Sequence, residues 1–398
     1  MKWNENSKKI NRDSVSKLLK SLFFCSIFFV ALMYNATIVV QGSFTLKRVN
    51  SALLKEGERG TILCSKDDFL YILVENSSEA EEFADSLQIT DVRQPESPIV
   101  VGRYELAVND TLHNFQVKNN IAYMLIEKPY PGVINWTIKL LNITEPANPV
   151  LLGSSALENT TRFSMYSWYI SIHNNYTYVS TDFELIIFDC SNPTSPVKVA
   201  NHTSSGGETH ITNDLLYLVS AGVKIFDLAD PVNPVFLGEV NSTKHTSECS
   251  GVHGSYVINV FEWFGIQVYN CTDPSQPTIC WDYDFPEWDF QPGGNIHDME
   301  IVGDRLFAGG RKLYVFDLSN PQNLVRIARK NIGDRDIRRI TVSGDYIYLT
   351  IHYNLRIYSY VENFLGRNLG LALGISIGIP ILIGGSLLFL KKKEKLIA

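Results

Sequence analysis

Two groups of residues in this chain carry side chains that could bind a ligand or do chemistry. The first group begins the innermost strand of successive repeated units, so its members are expected to converge on the mouth of one channel. The members are His113, Trp168, Glu208, Glu248, His297, Asp298, Arg338 and Arg339. Imidazoles and carboxylates together bind zinc and similar metals, which makes His113, Glu248 and His297 candidate metal ligands. The alternative is a solvated polar lining without a metal.

The second group alternates aromatic and acidic side chains over residues 281–291. The aromatic members are Trp281, Tyr283, Phe285, Trp288 and Phe290, and the acids are Asp282, Asp284, Glu287 and Asp289. Exposed rings stack on sugars or fill pockets of protein partners, and acids beside them favour a cationic partner. We therefore predict a ligand-binding loop between two repeats. The alternative is that the rings fold back and cap the core.

Well-defined catalytic motifs are absent from the sequence. It contains no G-x-S-x-G, H-E-x-x-H, P-loop or C-x-x-C, so neither those enzyme classes nor a cofactor is indicated. The net charge is −7 and both chain ends are rich in lysine, so the acidity is concentrated in the middle of the chain. An acidic surface disfavours nucleic acid as a partner. A glycan-acting or metal-dependent enzyme that uses the channel mouth stays open as an alternative.

An internal repeat supplies the elements that must position these residues. Its marker is Asp/Asn-x-x-x-Pro, usually with a second proline three residues later. The first prolines are Pro95, Pro146, Pro193, Pro231, Pro274 and Pro321, which lie between 38 and 51 residues apart. That period suits one four-stranded blade of a β-propeller. The Asp or Asn side chain bonds the backbone of the turn that it opens, and proline fixes φ there.

The number of blades can be counted from the markers and the strands between them. Six markers end six blades, and a seventh set of strands comes after them at residues 338–342, 346–351 and 355–358 without a marker. Residues 44–49 form a leftover strand that would complete this last blade. We therefore predict an all-β fold, a seven-bladed β-propeller closed by an N-terminal strand in the last blade. A recurring residue of the second strands is interpreted as packing between blades: Tyr71, Tyr123, Tyr178, Tyr217, Ile258, Phe307 and Tyr348.

The repeat resembles a known family. The two copies that carry the resemblance most clearly are IKLLNITEPANPVLLG at 138–153 and VKIFDLADPVNPVFLG at 223–238. They are similar to the LVIVD repeat, and at the level of the repeat the resemblance covers about residues 60–360. It implies a β-propeller on a surface or secreted protein, mostly of bacteria and archaea, with no shared catalytic set. The sequence departs from the pattern in two inserts, at 75–86 and 127–136.

Apolar runs near both ends predict a membrane anchor. Residues 22–40 and 369–390 are each about long enough to cross a bilayer as a helix. Lysines and arginines flank them on the sides away from the middle of the chain, which places both termini in the cytoplasm. The predicted segments are a basic tail (1–20), a membrane helix or cleaved signal peptide (21–42), an extracellular propeller (43–361), a linker (362–368), a membrane helix (369–390) and a lysine-rich tail (391–398).

Three smaller patterns agree with an extracellular propeller. Glycosylation sequons occur at Asn76, Asn109, Asn135, Asn142, Asn159, Asn175, Asn201, Asn241 and Asn270. Cys271 and Cys280 flank one turn and form a disulfide if their side chains face alike. Three glycines line one face of the second apolar run and predict close packing of helices, and so a homo-oligomer: Gly370, Gly374 and Gly378.

The direction of the strands sets an orientation. Both chain ends are expected to leave the propeller on one face, which must then look at the membrane, while the opposite face displays the 281–291 loop. The leading prediction is a membrane-anchored surface protein that binds an extracellular protein or glycan, and it places the propeller outside the cell. Besides the enzyme alternative, a structural component of the envelope is the third function class that the sequence allows.

Overall fold

The computed structural model describes a folded unit between Phe44 and Glu362. The described residues are 44–51, 54, 58–76, 84–108, 110–130, 133–157, 169–204, 206–244, 247–261, 265–284, 296–333, 336–351 and 354–362. The predicted membrane segments at 21–42 and 369–390, both tails and linker residues 363–368 lie outside them. Within these ranges no helix has the length and apolar character needed to cross a bilayer.

Seven antiparallel sheets of four strands make up the unit. In chain order the strands are β1 (Phe44–Ser51), β2 (Glu58–Lys66), β3 (Phe69–Asn76), β4 (Ser86–Asp91), β5 (Ile99–Glu105), β6 (Thr111–Lys118), β7 (Ile121–Tyr130), β8 (Val133–Asn142), β9 (Val150–Ala156), β10 (Tyr169–His173), β11 (Tyr176–Ser180), β12 (Glu184–Asp189), β13 (Val197–Thr203), β14 (Glu208–Thr212), β15 (Leu215–Ser220), β16 (Gly222–Asp227), β17 (Val235–Asn241), β18 (Ser247–His253), β19 (Tyr256–Phe261), β20 (Gly265–Asn270), β21 (Thr278–Asp284), β22 (Ile296–Val302), β23 (Arg305–Gly310), β24 (Lys312–Asp317), β25 (Val325–Asn331), β26 (Arg339–Ser343), β27 (Tyr346–Ile351) and β28 (Asn354–Glu362). Blades 1 to 6 are β2–β5, β6–β9, β10–β13, β14–β17, β18–β21 and β22–β25, and blade 7 is β26–β27–β28–β1. The predicted seven-bladed propeller is confirmed.

The hairpin between the first and second strands owes its form to Asn, Asp and Gly. In blade 2 both turn residues have positive φ, 49° at Asn119 and 58° at Asn120, and blade 4 repeats this at Asn213 and Asp214. Two successive positive φ values define a type I′ turn, whose twist matches that of the flanking strands. Blades 5, 6 and 7 place a glycine with positive φ in the same turn.

The proline turn between the third and fourth strands has the structure that its sequence predicts. In each of blades 1 to 6 the marker side chain accepts a hydrogen bond from the backbone amide two residues later, over 2.7–3.0 Å; the marker residues are Asp91, Asn142, Asp189, Asp227, Asn270 and Asp317. The bond closes the turn, and the proline, which has no amide hydrogen, lies outside the strand ladder. One marker therefore ends each third strand, which is why the repeat could be read from it.

Outer strands carry a bulge that brings neighbouring blades together. One extra residue near the start of the outer strand shifts its register against the third strand. In blade 4 the third-strand residues Phe226 and Ile225 pair with Phe236 and Gly238, which leaves one outer-strand residue without a partner in the ladder. The first outer-strand residue to pair with the third strand after the bulge is glycine in blades 1, 2 and 4. A Cβ added at Gly102 would lie 1.9 Å from the carbonyl oxygen of Pro146, in the next blade's turn, and one at Gly238 would lie 2.6 Å from that of Pro274. Only glycine permits this approach of two backbones.

Hydrophobic packing between blades closes the ring. Seven buried clusters each join two adjacent blades, and one of them joins blade 7 to blade 1 through residues such as Leu70, Tyr348 and Ile357. The recurring second-strand residue is buried in every blade, with at most 5% of its surface exposed. The interpretation of these residues as inter-blade core is confirmed.

The two ends of the unit meet in blade 7. Strand β1 pairs antiparallel with β28, and Phe44 lies opposite Glu362. The Nζ of Lys330, on the outer strand of blade 6, donates a 2.7 Å hydrogen bond to the carbonyl of Leu46. Both ends therefore lie at the same edge of blade 7, the edge that also carries the proline turns and the first hairpins. We call this the lower face and the opposite one the upper face.

One departure of blade 2 from the repeat is a longer hairpin. The sequence suggested that residues 127–136 are an insert that separates two strands. Instead β7 and β8 continue through it, and Glu127 pairs with Trp136. Alternating side chains across this extension let Trp136 join the core between blades 2 and 3. The first insert, at 75–86, contains residues 77–83, which lie outside the described ranges.

Candidate functional site

A cavity of about 340 Å³ occupies the centre of the propeller, and the first strands of all seven blades line it. Its lining includes four carboxylates, from Glu208, Glu248, Asp298 and Glu300, and the guanidinium of Arg339. In blades 3, 4, 5 and 7 the lining begins at the first or second residue of the inner strand, on the side of the upper face. The described part of the channel is therefore acidic, and its size falls within the range of small-molecule sites.

The structure sorts the predicted channel-mouth residues into two sets. Glu208, Glu248, Asp298 and Arg339 line the cavity, whereas three others do not: His113, His297 and Arg338. Trp168 lies outside the described residues. Sequence reasoning missed Tyr169 at the mouth of the channel and lining residues further along the inner strands, such as His210 and Glu300. His210 and Glu300 pair directly with second-strand aromatic residues, Tyr217 and Phe307, so the aromatic repeat was the signal that could have located them.

The two candidate metal-binding histidines are occupied elsewhere. His113 Nε2 lies 2.5 Å from Glu127 Oε2, and its ring packs 4.6 Å from that of Trp136. His297 Nε2 lies 3.6 Å from Asp336 Oδ2. Among the residues that the structure describes, no three His, Cys, Asp or Glu side chains are placed to hold a metal ion. The proposed convergence of His113, Glu248 and His297 is therefore wrong: Glu248 lines the cavity, whereas the two histidines lie outside the lining and contact Glu127 and Asp336 instead.

Three channel carboxylates connect one blade to the next. Glu208 Oε2 accepts hydrogen bonds from the backbone amide (2.7 Å) and the hydroxyl (2.8 Å) of Ser250. Asp298 Oδ2 accepts one from the amide of Ile340 at 2.7 Å. Glu300 likewise accepts one from the amide of Val342 at 2.8 Å. These contacts satisfy backbone donors at the free edge of the inner strands, so the acids link blade 4 to blade 5 and blade 6 to blade 7 through hydrogen bonds.

Burial changes the acid–base properties of the lining. Desolvation raises the pKa of Glu208 to about 7, although hydrogen bonds from Ser250 and the charge of Arg339 oppose it. It also raises the pKa of Glu300 to about 7, and that of Asp298 to about 6. Burial lowers the pKa of His210 to about 4, and its Nε2 lies 2.8 Å from Ser250 Oγ. The channel thus holds carboxylates that exchange protons near neutral pH, beside a neutral imidazole.

The predicted aromatic and acidic loop is in part a strand. Trp281 to Asp284 belong to β21, the outer strand of blade 5, so the prediction of a loop is wrong for these residues. The rings of Trp281 and Tyr283 are stacked, with centroids 5.3 Å apart and planes 3° from parallel. Trp281 stands where blades 1, 2 and 4 have glycine and packs against the core between blades 5 and 6. Phe285, Trp288 and Phe290 lie outside the described residues.

The acids of this segment already have a partner within the chain. The buried Nζ of Lys244 lies 2.9 Å from Asp282 Oδ1 and also contacts the carboxylate of Asp284. Burial alone would raise the pKa of Asp282, but hydrogen bonds from Lys244 and Gln267 outweigh it and lower that pKa. These contacts tie the connection between blades 4 and 5 to the outer strand of blade 5.

Comparison with known proteins now identifies the repeat. The LVIVD repeat family matches residues 166–203. This range contains all four strands of blade 3, and the other blades repeat the same strands and turns. The chain is an LVIVD-repeat propeller protein.

A solved structure similar to this LVIVD propeller supports the fold alone. The crystal structure of the computationally designed Ika8 protein is 9% identical, with a TM-score of 0.53, and the match covers 79% of this chain and 100% of that one. No curated protein sequence matches the chain.

The disulfide predicted between Cys271 and Cys280 is wrong, since both thiols are free. Cys271 packs into the core between blades 4 and 5, whereas Cys280 packs against the core between blades 5 and 6. The side chains therefore point to opposite faces of the blade 5 sheet. The cause is the bulge in β21, which leaves Cys280 out of the ladder between Ile279 and Trp281.

The predicted glycosylation sites fall into three groups. Asn175, Asn201 and Asn241 are exposed. Asn142 and Asn270 are half-buried and cap proline turns. Nothing is described for the side chains of Asn76 and Asn135, and Asn109 and Asn159 lie outside the described residues, as do the helix-packing glycines Gly370, Gly374 and Gly378.

Proposed function

We propose that this LVIVD propeller is held at the outer surface of the cell membrane and binds a partner through its upper face. The observation that carries the proposal is the meeting of the chain ends: Phe44 lies opposite Glu362 at the lower edge of blade 7. Outside the described unit, the sequence continues from these ends into the apolar runs 22–40 and 369–390. An anchor on either side of the unit turns the lower face to the membrane and leaves the upper face for a partner.

Pairing of β1 with β28 adds to this proposal. We infer that the N-terminal strand closes blade 7 in the folded protein, because without it β28 would present an open edge next to the membrane. Closure in this way also fixes both anchors to one blade. A partner that binds the upper face then meets a rigid ring rather than two separate chain ends.

The chemistry of the upper face favours a cationic partner. Four carboxylates and one guanidinium line the described channel, so its field attracts positive charge. We propose an extracellular protein, or a glycan with amino groups, that presents a cation to the channel. A metal-dependent enzyme is disfavoured, because its candidate metal ligands His113 and His297 lie outside the channel lining and contact Glu127 and Asp336.

The binding proposal is tested by changing one channel charge. Glu248→Gln removes the charge of one carboxylate in the lining and keeps the size and shape of the side chain, so the fold should persist. Because the partner is expected to be cationic, its affinity should fall about fivefold to tenfold, which is roughly 1 kcal/mol. The full chain in lipid nanodiscs is first screened on protein and glycan arrays, and the affinity of each hit is then measured.

Glu239→Gln is the matched control, since Glu239 is on the outer strand of blade 4 with 47% of its side chain exposed. It should leave affinity unchanged. Equal loss from both variants, or none from either, would show that the partner does not use the channel. Arrays on which no protein or glycan is retained would count against a binding function and favour a structural component of the envelope.

The location is tested by glycosylation in the native host. If the propeller is extracellular, the exposed sequons Asn175, Asn201 and Asn241 meet the glycosylation machinery, and we expect glycans on them. Mass spectrometry of tryptic and chymotryptic peptides from the native protein measures the occupancy. Complete absence of glycans at all three, from a host that modifies its other surface proteins at sequons, would contradict the placement outside the cell.

A further inference from the structure

Exposed apolar side chains form a partial belt around the lower edge of the propeller. Large hydrophobic residues open the outer strands of blades 1 to 4, and the first residue is 49–63% exposed in each. The name apolar rim is used for one set of eight residues: Ile99, Val100, Val150, Leu151, Val197, Val199, Val235 and Phe236. Eight such residues within the first three positions of four successive outer strands are more than scattered surface hydrophobics.

The bulge in each outer strand explains why these side chains are not buried. In blades 1, 2 and 4 it turns one apolar residue inward, and Val101, Leu152 and Leu237 pack against the inter-blade cores in this way. The residues at the start of the strand then face away from the core. Packing within the unit does not require them to be apolar, because blade 5 has an exposed threonine, Thr278, at the first position.

The reach of the chain brings this belt close to a bilayer. The apolar run that ends at Val40 is four residue steps from Phe44, and Leu369 is seven steps from Glu362. An extended chain covers at most about 14 Å and about 25 Å in these steps. Phe44 and Glu362 lie at the lower edge of blade 7, which is the level at which the outer strands begin. Short tethers from the proposed anchors therefore hold the lower edge of blade 7 near lipid, and the apolar rim lies at the same edge of blades 1 to 4.

We propose that the apolar rim of blades 1 to 4 rests in the interfacial region of the membrane in which the chain is anchored. This inference rests on the proposed function, since it requires the lower face to look at the bilayer. Apolar side chains gain free energy by leaving water for the acyl boundary. Because blade 5 does not continue the belt, the propeller meets the surface along one side rather than flat.

Charge at the lower face specifies the lipid. The turns of this face expose nine carboxylates and one guanidinium, which belong to Asp67, Asp68, Glu96, Glu145, Asp214, Asp230, Asp273, Asp304, Asp345 and Arg93. Anionic headgroups would repel the carboxylates. The partner surface that fits is thus a bilayer of neutral headgroups, with contact made through apolar side chains and weakened by anionic lipid.

The test places a fluorescent label on the rim of the full-length chain in proteoliposomes. Val235→Cys labelled with NBD reports on the rim, and Thr278→Cys is the matched control, because both open an outer strand. The vesicles are phosphatidylcholine with nitroxide-bearing lipid. We expect the quenching at position 235 to exceed that at 278 at least threefold, and to fall by half or more in vesicles rich in phosphatidylglycerol. Wild-type chain labelled in parallel gives the background from native thiols, and Val150→Cys repeats the measurement on another blade.

Three outcomes would overturn the inference. If the labels at positions 235 and 150 are quenched no more than the label at position 278, the apolar rim does not contact lipid. A blue-shifted but unquenched label at 235 means that a protein, either another chain or a second copy, covers the rim. Quenching that grows with anionic lipid contradicts the neutral surface.

A separate label distinguishes failure of this inference from failure of the proposed function. Ala221 is exposed in the hairpin between the second and third strands of blade 4, on the upper face. Ala221→Cys should react with a membrane-impermeant maleimide added to intact cells. If it reacts while the quenching results fail, only the rim contact is wrong. If it does not react in cells whose lysates do label, the proposed extracellular placement is wrong, and the rim inference falls with it.

Discussion

Removal of β1 is expected to lower the melting temperature of the propeller by about 10 °C, because a whole strand ladder is lost. Residues 43–51 are deleted together with the N-terminal segment, so that the chain begins at residue 52. The deletion removes the pairing from Phe44 to Ser51 with β28 and the hydrogen bond from Lys330 to Leu46. It also removes Leu46 from the edge of the core between blades 6 and 7.

Differential scanning calorimetry on two chains measures this effect. The control begins at residue 43 and lacks only the N-terminal tail and apolar run, so it should melt as the full chain does. If the chain that begins at residue 52 has the same melting temperature as its control, blade 7 is stable with three strands and β1 does not close the ring. Because an exposed strand edge pairs with other chains, the deletion should also increase aggregation above the transition.

Replacement of two channel carboxylates is expected to raise stability at pH 8 and leave it unchanged at pH 4.5. The variant is the double change Glu208→Gln and Glu300→Gln. Glutamine keeps a carbonyl oxygen for the amides of Ser250 and Val342, but it has no charge to bury. Each ionised acid costs about 1–3 kcal/mol of folding free energy at high pH, because burial raises its pKa from 4.5 to about 7.

The direction of the pH effect is set by proton binding. Between pH 4.5 and about 7 the folded protein keeps protons that the unfolded chain has lost. Stability contributed by these groups is therefore present below pH 4.5, falls as the pH rises through this window, and is constant above it. We expect the melting temperature of the variant to exceed that of the wild type by about 5 °C at pH 8.

Thermal unfolding at half-unit steps from pH 4.5 to 8.5 measures the difference between variant and wild type. Glu239→Gln, on the exposed outer strand, serves again as the control and should give a flat difference across the range. A variant that is less stable at pH 8 than at pH 4.5, relative to the wild type, would mean that the ionised acids stabilise the channel. In that case the hydrogen bonds and Arg339 outweigh desolvation.

The sequence by itself determined the features that depend on nearest neighbours along the chain. The marker from Asp189 to Pro193, like its copies, encodes one turn through a side chain that bonds its own backbone. Alternation within short strands then fixes which residues face the core, as with Tyr178 and Tyr217. Such local rules repeat with each blade, so the number of blades and the family of the repeat could be predicted.

Tertiary structure decided which side chains meet. A single extra residue in a strand reverses the face on which the later residues of that strand lie, and the bulge in β21 separated Cys280 from Cys271 in this way. His113 and His297 contact Glu127 and Asp336 and lie outside the channel lining. No local pattern records these shifts, because they arise where one blade packs against the next. The channel acids owe their raised pKa values to burial by seven strands at once. That environment, and the inter-blade contacts of Glu208 and Glu300, exist only when the ring is assembled.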